Sequence, residues 1–171
     1  GGIGDAVLLI PAIIALKKRF PHAVIDVLSE KRNYAIFSLC PYVNRILCYD
    51  NPTELLTAIR SRHDVVIDTE QWHRLSAVVA RLMRAQMSVG YATNERKRLF
   101  THAVPYSHDD YEAHTFFNLI APITGQLPVD FDEPFLTVPP ESTNRIRSLL
   151  QPLANKKIVV LFPGGSIQER R

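Results

Sequence analysis

An α/β fold built on a parallel sheet is predicted by three observations. A glycine-rich opening, Gly1-Gly2-Ile3-Gly4-Asp5, runs directly into an apolar helical pattern from Ala6 to Phe20. Short apolar runs then alternate with helical patterns along the chain, the order expected when parallel strands are joined by crossover helices. Near the end, Lys156 to Phe162 and Pro163-Gly164-Gly165-Ser166 repeat a strand followed by a glycine turn, which suggests two similar α/β units.

The opening stretch organises the rest. Glycines before a helix let the backbone turn sharply and approach a ligand closely, and they leave helix-start N–H groups pointing outward. Asp5 then stands where a strand gives way to a helix, at the edge of an open α/β sheet where ligands collect. Two roles fit it. It can be a first-turn carboxylate that accepts backbone N–H groups and complements the helix dipole, or a general base that takes a proton from a substrate hydroxyl. The spacing argues against a nicotinamide or flavin cofactor, because Gly2-x-Gly4 requires a third glycine where Val7 stands, so the dinucleotide fingerprint fails.

Each following element has its own signal. Ala6 to Phe20 spreads Val7, Leu8, Ile10, Ile14 and Leu16 around a largely buried helix, with Pro11 expected to kink it or end its first turn and Lys17, Lys18 and Arg19 suited to its C-terminus. Pro21 breaks that helix, and Ala23 to Leu28 reads as a buried parallel strand. Lys31 to Leu39 predicts a short helix and Arg45 to Tyr49 a short strand. Asp50-Asn51-Pro52 is a turn, and Thr53 is the expected cap of a helix from Glu54 to Ser61.

His63 to Asp68 is the clearest strand, and it ends in the polar loop Thr69-Glu70-Gln71-Trp72-His73-Arg74. From there a helix to Arg84 carries the apolar stripe Leu75, Val78, Val79 and Leu82. Met87 to Tyr91 is a strand, Asn94 to Arg98 a basic loop, and Thr101 to Pro105 a short strand. Ser107-His108-Asp109-Asp110 is expected to cap a helix from Tyr111 to Thr124 that Gly125 closes. Gln126 to Pro140 reads as a proline-rich, acidic linker carrying little core, with an extended piece at Pro134 to Val138, and Glu141 to Leu153 as one amphipathic helix.

Composition narrows the function classes. The chain has 171 residues, 46% hydrophobic and 22% charged, enough to bury one core with a little left over. Twenty Lys and Arg against 17 acidic residues give a net charge of +3, which neither demands nucleic acid nor excludes an anionic substrate. Cys40 and Cys48 lack metal spacing and read as reduced thiols. No apolar run reaches the roughly eighteen residues of a membrane-spanning helix. The chain opens inside one motif and closes inside another, so a fragment of a longer protein, without a signal peptide, is expected.

Together, Gly-Gly-Ile-Gly-Asp with Pro11, Lys-Lys-Arg-Phe-Pro at 17 to 21, Asp26-Val27-Leu28, Pro41-Tyr42-Val43, Val66-Ile67-Asp68, Val89-Gly90-Tyr91 and Pro163-Gly164-Gly165-Ser166 look like glycosyltransferase family 9, the ADP-heptose:lipopolysaccharide heptosyltransferases. The match runs through nearly the whole chain in the right order. The resemblance implies the N-terminal half of a GT-B glycosyltransferase. Residues 1–125 would form a Rossmann-like acceptor-binding domain, 126–140 a linker, and 141–171 the truncated start of a nucleotide-sugar-binding domain. It implies an inverting single displacement in which Asp5 is the base. Its two substrates would be ADP-heptose and a lipopolysaccharide core acceptor, with no cofactor besides the nucleotide sugar and no nucleic acid partner.

The resemblance carries further residue expectations. Gly2 and Gly4 line the acceptor turn. Ser166 matches the Ser or Thr of the family's second glycine turn, with Gly165 beside it. Arg170 stands where the family has a phosphate-contacting Lys, so it is either a bidentate phosphate ligand or a solvated charge. Glu70, His73 and Arg74 lie where the acceptor cleft is expected, or else cap the next helix. Arg96, Lys97 and Arg98 either hold an anionic acceptor or form a solvated loop, and Trp72 either stacks on a sugar or packs half-buried. His102, His108 and His114 have no metal spacing, so no metal is expected.

Two rivals remain open: a member of the same family using another nucleotide sugar, or, for the chain in isolation, a non-catalytic anionic-glycan-binding fragment. The isolated chain is expected to be inactive. A cytoplasmic location follows from the resemblance, with a peripheral contact at the inner membrane and the oligomeric state left open.

Overall fold

A computed structural model of the protein describes residues 2–129 and 134–161. They fall into two compact units, residues 1–137 and 138–171.

The first unit is the α/β layer structure that the alternating pattern predicts. Its elements are α1 (Ile3–Arg19), β1 (Asp26–Ser29), α2 (Tyr34–Phe37), β2 (Arg45–Cys48), α3 (Pro52–Arg60), β3 (Val65–Asp68), α4 (Arg74–Leu82), β4 (Met87–Tyr91), the 3-10 helix η1 (Thr93–Leu99), β5 (His102–Val104) and α5 (Glu112–Thr124). All strand pairing is parallel, in two sheets ordered β1-β2 and β3-β4-β5. Asp26 stands opposite Arg45 in register, and their side chains form an ion pair at 2.7 Å.

Helix α1 is the common cover of both sheets. Ala6, Ile10 and Ile13 pack with Phe37 and Cys40 against Val27 of β1 and Ile46 of β2. Ala12, on another side of the same helix, packs with Phe116, Phe117 and Ile120 of α5 and touches Ile67 of β3. An apolar pattern spread around the helix is what two simultaneous contacts require. Pro11 neither ends nor divides α1. It lies buried at mid-helix within an unbroken element, where the surrounding packing outweighs the missing N–H.

Several boundaries shift from expectation for local reasons. The α3 cap is Asn51, whose Oδ1 accepts the N–H groups of Thr53 at 3.0 Å and Glu54 at 3.5 Å, so Thr53 lies inside the helix. At α5 the N-cap is Tyr111, with no side-chain cap bond from residues 107–110. Gly125 closes α5 at φ 76°, as expected of a left-handed helix end. The basic loop is the 3-10 helix η1, in which Asn94 and Glu95 both take positive φ, 48° and 61°.

Two expectations about the core are corrected. In α4 the buried residues are Ala77, Val79 and Ala80, while Leu75, Val78 and Leu82 face outward. Small residues let the helix lie close to Phe100 and Val66, so the larger side chains of the expected stripe have no room inside. The 126–140 stretch also carries core: Leu127 and Val129 pack on the α1–α5 cluster, and Phe135 and Leu136 on the α1–α2 cluster. The boundary between units falls inside that stretch, after Thr137.

The second unit holds α6 (Pro140–Leu150) and the 3-10 turn η2 (Gln151–Leu153). The strand expected from Lys156 is absent among the described residues, and Val159, Val160 and Leu161 are exposed. A parallel strand needs neighbours to satisfy its backbone, and no strand of this unit is described to supply them.

Candidate active site

In a parallel sheet whose strands feed helices, every strand ends and every following helix begins at the same edge. Here that edge gathers Asp68 and the 69–73 loop after β3, Ala92 and η1 after β4, Tyr106 after β5, and the first turns of α1, α4 and α5. Asp5 is therefore a first-turn residue of α1, and Glu112 is a first-turn residue of α5.

The half-buried Asp5 carboxylate accepts the Gly2 N–H through Oδ2 at 2.6 Å. This bond fixes the carboxylate over the helix start, while its other oxygen has no hydrogen-bond partner among the described residues. The glycines around it work differently from the sequence expectation. Gly2 has φ −76°, which any residue adopts, and a Cβ on Gly4 would meet nothing within 4 Å. A Cβ on Gly2 would touch the Asp5 carboxylate at 3.7 Å, so open space is supplied by Gly4 alone.

Two hydrogen-bonded groups complete the edge. Glu112 accepts Gln71 Nε2 through Oε1 and the Tyr106 hydroxyl through Oε2, the latter at 3.0 Å. Tyr106 stacks edge-on against Tyr91 at 5.0 Å and His108 at 4.9 Å, and the buried Tyr91 hydroxyl donates to Thr115 Oγ1 at 3.2 Å. Burial, the hydrogen bond to Glu112, the charge of Glu112 and then the charge of Asp5 push the Tyr106 phenol up to about 12. Tyr106 consequently stays protonated near neutral pH and serves as a donor.

The second group is a clamp on the 69–74 loop. Arg96 is fully buried and pairs with the Asp68 carboxylate at 2.6 Å; it also donates to the Glu70 carbonyl, to Ser76 Oγ at 3.4 Å, and lies over the Phe100 ring at 5.5 Å. Asp68 Oδ1 accepts the Glu70 N–H at 3.0 Å. Burial pushes the Asp68 carboxyl above its ordinary range, against the opposing charge of Arg96. Glu70 Oε1 accepts the N–H groups of Trp72 at 3.1 Å and His73 at 3.4 Å. Arg74 reaches across to the Asn94 carbonyl at 3.0 Å and to Glu95 at 2.9 Å, and Asn94 Nδ2 donates to the Trp72 carbonyl at 3.0 Å. These bonds hold Asn94 and Glu95 in their left-handed conformations, a strained arrangement of the kind found beside binding sites.

The structure thus brings Gly2, Gly4, Asp5, Glu70 and Arg74 to one edge of the sheet. Arg96 is corrected from a loop cation to a buried ion-pair partner: its only charged group is spent on Asp68 and Glu70, out of reach of solvent. Lys97 and Arg98 are exposed on η1, as is Trp72 in the loop after β3. Gly165, Ser166 and Arg170 lie outside the described residues. Gln71, Tyr106 and Glu112 were not singled out from the sequence. The signal available was their position just after β3, just after β5 and at the start of α5. Among the described residues no group of three or more His, Cys, Asp or Glu side chains is placed to hold a metal ion, and no helix is long and apolar enough to cross a membrane.

No family model matches the chain. Over 120 residues, 60% of this chain, it is 29% identical to lipopolysaccharide heptosyltransferase 3 of Escherichia coli, covering 35% of that protein, and to the same protein of strain K12, covering 34%. The chain spans about a third of the length of these curated relatives. Among solved structures, a glycosyl transferase family 9 protein of Veillonella parvula DSM 2008 superposes with a TM-score of 0.79 at 14% identity, over 99% of this chain and 53% of that one. E. coli ADP-heptose lps heptosyltransferase II gives 0.70 at 18% identity, over 88% and 48%. E. coli heptosyltransferase WaaC with ADP gives 0.66 at 17% identity, over 77% and 47%. The resemblance read from the sequence is borne out: this α/β chain is similar in sequence to lipopolysaccharide heptosyltransferase 3 and has the fold of glycosyltransferase family 9 structures over about half their length.

Proposed function

We propose that the protein of which this chain is part is an inverting glycosyltransferase that moves a heptose from ADP-heptose to a lipopolysaccharide core acceptor, with Asp5 as the general base. The observation that carries this reading is the Asp5 carboxylate, held by one backbone N–H at the first turn of α1 and near enough to Tyr106, the partner of Glu112, for its charge to act on that phenol. The acceptor hydroxyl gives its proton to Asp5 and attacks the anomeric carbon from the face opposite the leaving nucleotide diphosphate, so the anomeric configuration inverts. Tyr106, protonated and anchored by Glu112, can donate to an acceptor oxygen beside Asp5.

The resemblance to heptosyltransferases supports heptose as the transferred sugar, and one structural neighbour is WaaC bound to ADP-2-deoxy-2-fluoro heptose. In this reading Glu70 and Arg74 flank the acceptor and Arg98 supplies a cation for its anionic groups. Gly165, Ser166 and Arg170 meet the donor phosphates, and the nucleotide sugar is a substrate with no resident cofactor. The enzyme works in the cytoplasm, and residues 1–171 alone are inactive.

The test is transfer by the full-length protein from ADP-heptose to a truncated lipopolysaccharide core, followed by mass change of the acceptor. Heptose addition supports the reading. Addition from a different nucleotide sugar, with none from ADP-heptose, would keep the transferase and refute the sugar. Absence of transfer from any nucleotide sugar, with a folded protein, would refute the enzyme.

A further inference from the structure

The outward arc of α4 inverts the usual distribution of a surface helix. At about 3.6 residues per turn, Leu75, Val78 and Leu82 fall on one stripe, and all three are exposed, at 60%, 41% and 50%. Trp72, in the loop that leads into the helix, is 56% exposed. The inward side carries only Ala77, Val79 and Ala80. A ladder of large apolar side chains on the outside of a helix, with small ones inside, marks an interaction surface rather than scattered surface hydrophobics.

The charge around the ladder identifies what it meets. Between Trp72 and Arg98 the chain has six Lys and Arg residues and one acid, Glu95. Arg96 is buried, and Arg74 pairs with Glu95. Arg81 lies exposed in the last turn of the same helix and Arg84 exposed in the turn just past its end, with Lys97 and Arg98 on η1, which Arg74 straps to the start of α4. These four make no ion pair among the described residues. Tryptophan and leucine beside unpaired cations are the composition of a helix that lies in a lipid interface: the apolar stripe enters the headgroup boundary and the cations meet anionic phosphates.

We propose that α4 is a docking surface for an anionic phospholipid bilayer, seating Trp72, Leu75, Val78 and Leu82 in the interface with Arg81, Arg84, Lys97 and Arg98 around them. Helix α1 is packed on two sides and offers no comparable face, whereas the outward stripe of α4 is exposed. The proposal stands apart from the transferase reading, since it needs neither donor nor acceptor sugar.

Trp72 is the one tryptophan of the chain and reports directly. The chain is mixed with vesicles of phosphatidylglycerol and phosphatidylcholine, and with phosphatidylcholine alone, and followed by Trp72 emission and co-sedimentation. The expected result is a blue shift and sedimentation with the anionic vesicles, weakened by salt. Leu75→Ser/Leu82→Ser should lose on the order of tenfold in vesicle affinity, and Arg81→Gln/Arg84→Gln about fivefold per cation. Both variants should melt as wild type does, because the side chains are exposed. Val24→Ser, at another exposed apolar position, should bind normally. Failure of the wild type to bind anionic vesicles overturns the proposal. So does vesicle binding undiminished by the leucine pair, or a self-association in the ultracentrifuge that the leucine pair abolishes while lipid binding stays absent.

Discussion

Asp68 and Asp5 stand at the same edge of one sheet and have opposite surroundings. Asp68 ends β3, is 8% exposed, and faces a guanidinium buried completely beside it. Asp5 lies in the first turn of α1, is half-buried, and among the described residues is hydrogen-bonded to one backbone N–H. The first carboxylate is fully committed: it neutralises Arg96 and accepts the Glu70 N–H, while Arg96 donates to the Glu70 carbonyl, so the pair fixes the loop at the mouth of the site. The second is positioned but available. The contrast is one of hydrogen bonding: Asp68 spends both oxygens on its neighbours and so keeps the loop in place, whereas Asp5 spends one on the helix start.

The same change at both positions should separate the two roles. Asp68→Asn leaves a buried guanidinium without its counter-charge and should cost about 3–5 kcal/mol of stability, measured by urea denaturation. Arg96→Met should cost a similar amount, and the double variant Asp68→Asn/Arg96→Met much less than the sum, since it leaves neither charge buried alone. A double variant as unstable as the sum would show that the pair is not coupled.

Phe100 ties this clamp to β4. A Cβ on Gly90 would fall 2.2 Å from Phe100 Cζ, and Arg96 lies over the same ring. Gly90→Ala should therefore cost about 1–3 kcal/mol by forcing the ring outward. Near-wild-type stability would mean that the ring moves freely and does not seat Arg96. On the open side, Tyr106→Phe removes one donor to Glu112 and should cost about 1 kcal/mol, well below the clamp variants.

Periodicity and punctuation made most of the fold legible. The β3 run, the glycine closing α5 and the helix after the opening glycines each carry a local signal, and each element forms close to its expected place. Asp5, Glu70 and Arg74 were legible as site candidates because they follow glycines or a strand end. The unread parts depend on contacts between distant residues. Arg96 looks like any cation in a basic run until β3, 28 residues earlier, places Asp68 against it. Glu112 and Gln71 meet across 41 residues, and only the parallel order of β3, β4 and β5 brings α5 and the β3 loop together. The α4 stripe was legible as an apolar face but its direction was not, because hydrophobic spacing shows that a face exists and not which way the helix turns it; of its four residues Val79 alone is buried.

The most direct test is turnover of the full-length Asp5→Asn protein with ADP-heptose and truncated lipopolysaccharide core, alongside its melting curve and acceptor binding. The account predicts a loss on the order of a hundredfold or more in turnover, with acceptor binding retained and stability changed by less than about 1 kcal/mol, because the amide oxygen can still accept the Gly2 N–H. Turnover close to wild type would contradict it and leave Asp5 as a helix-start cap.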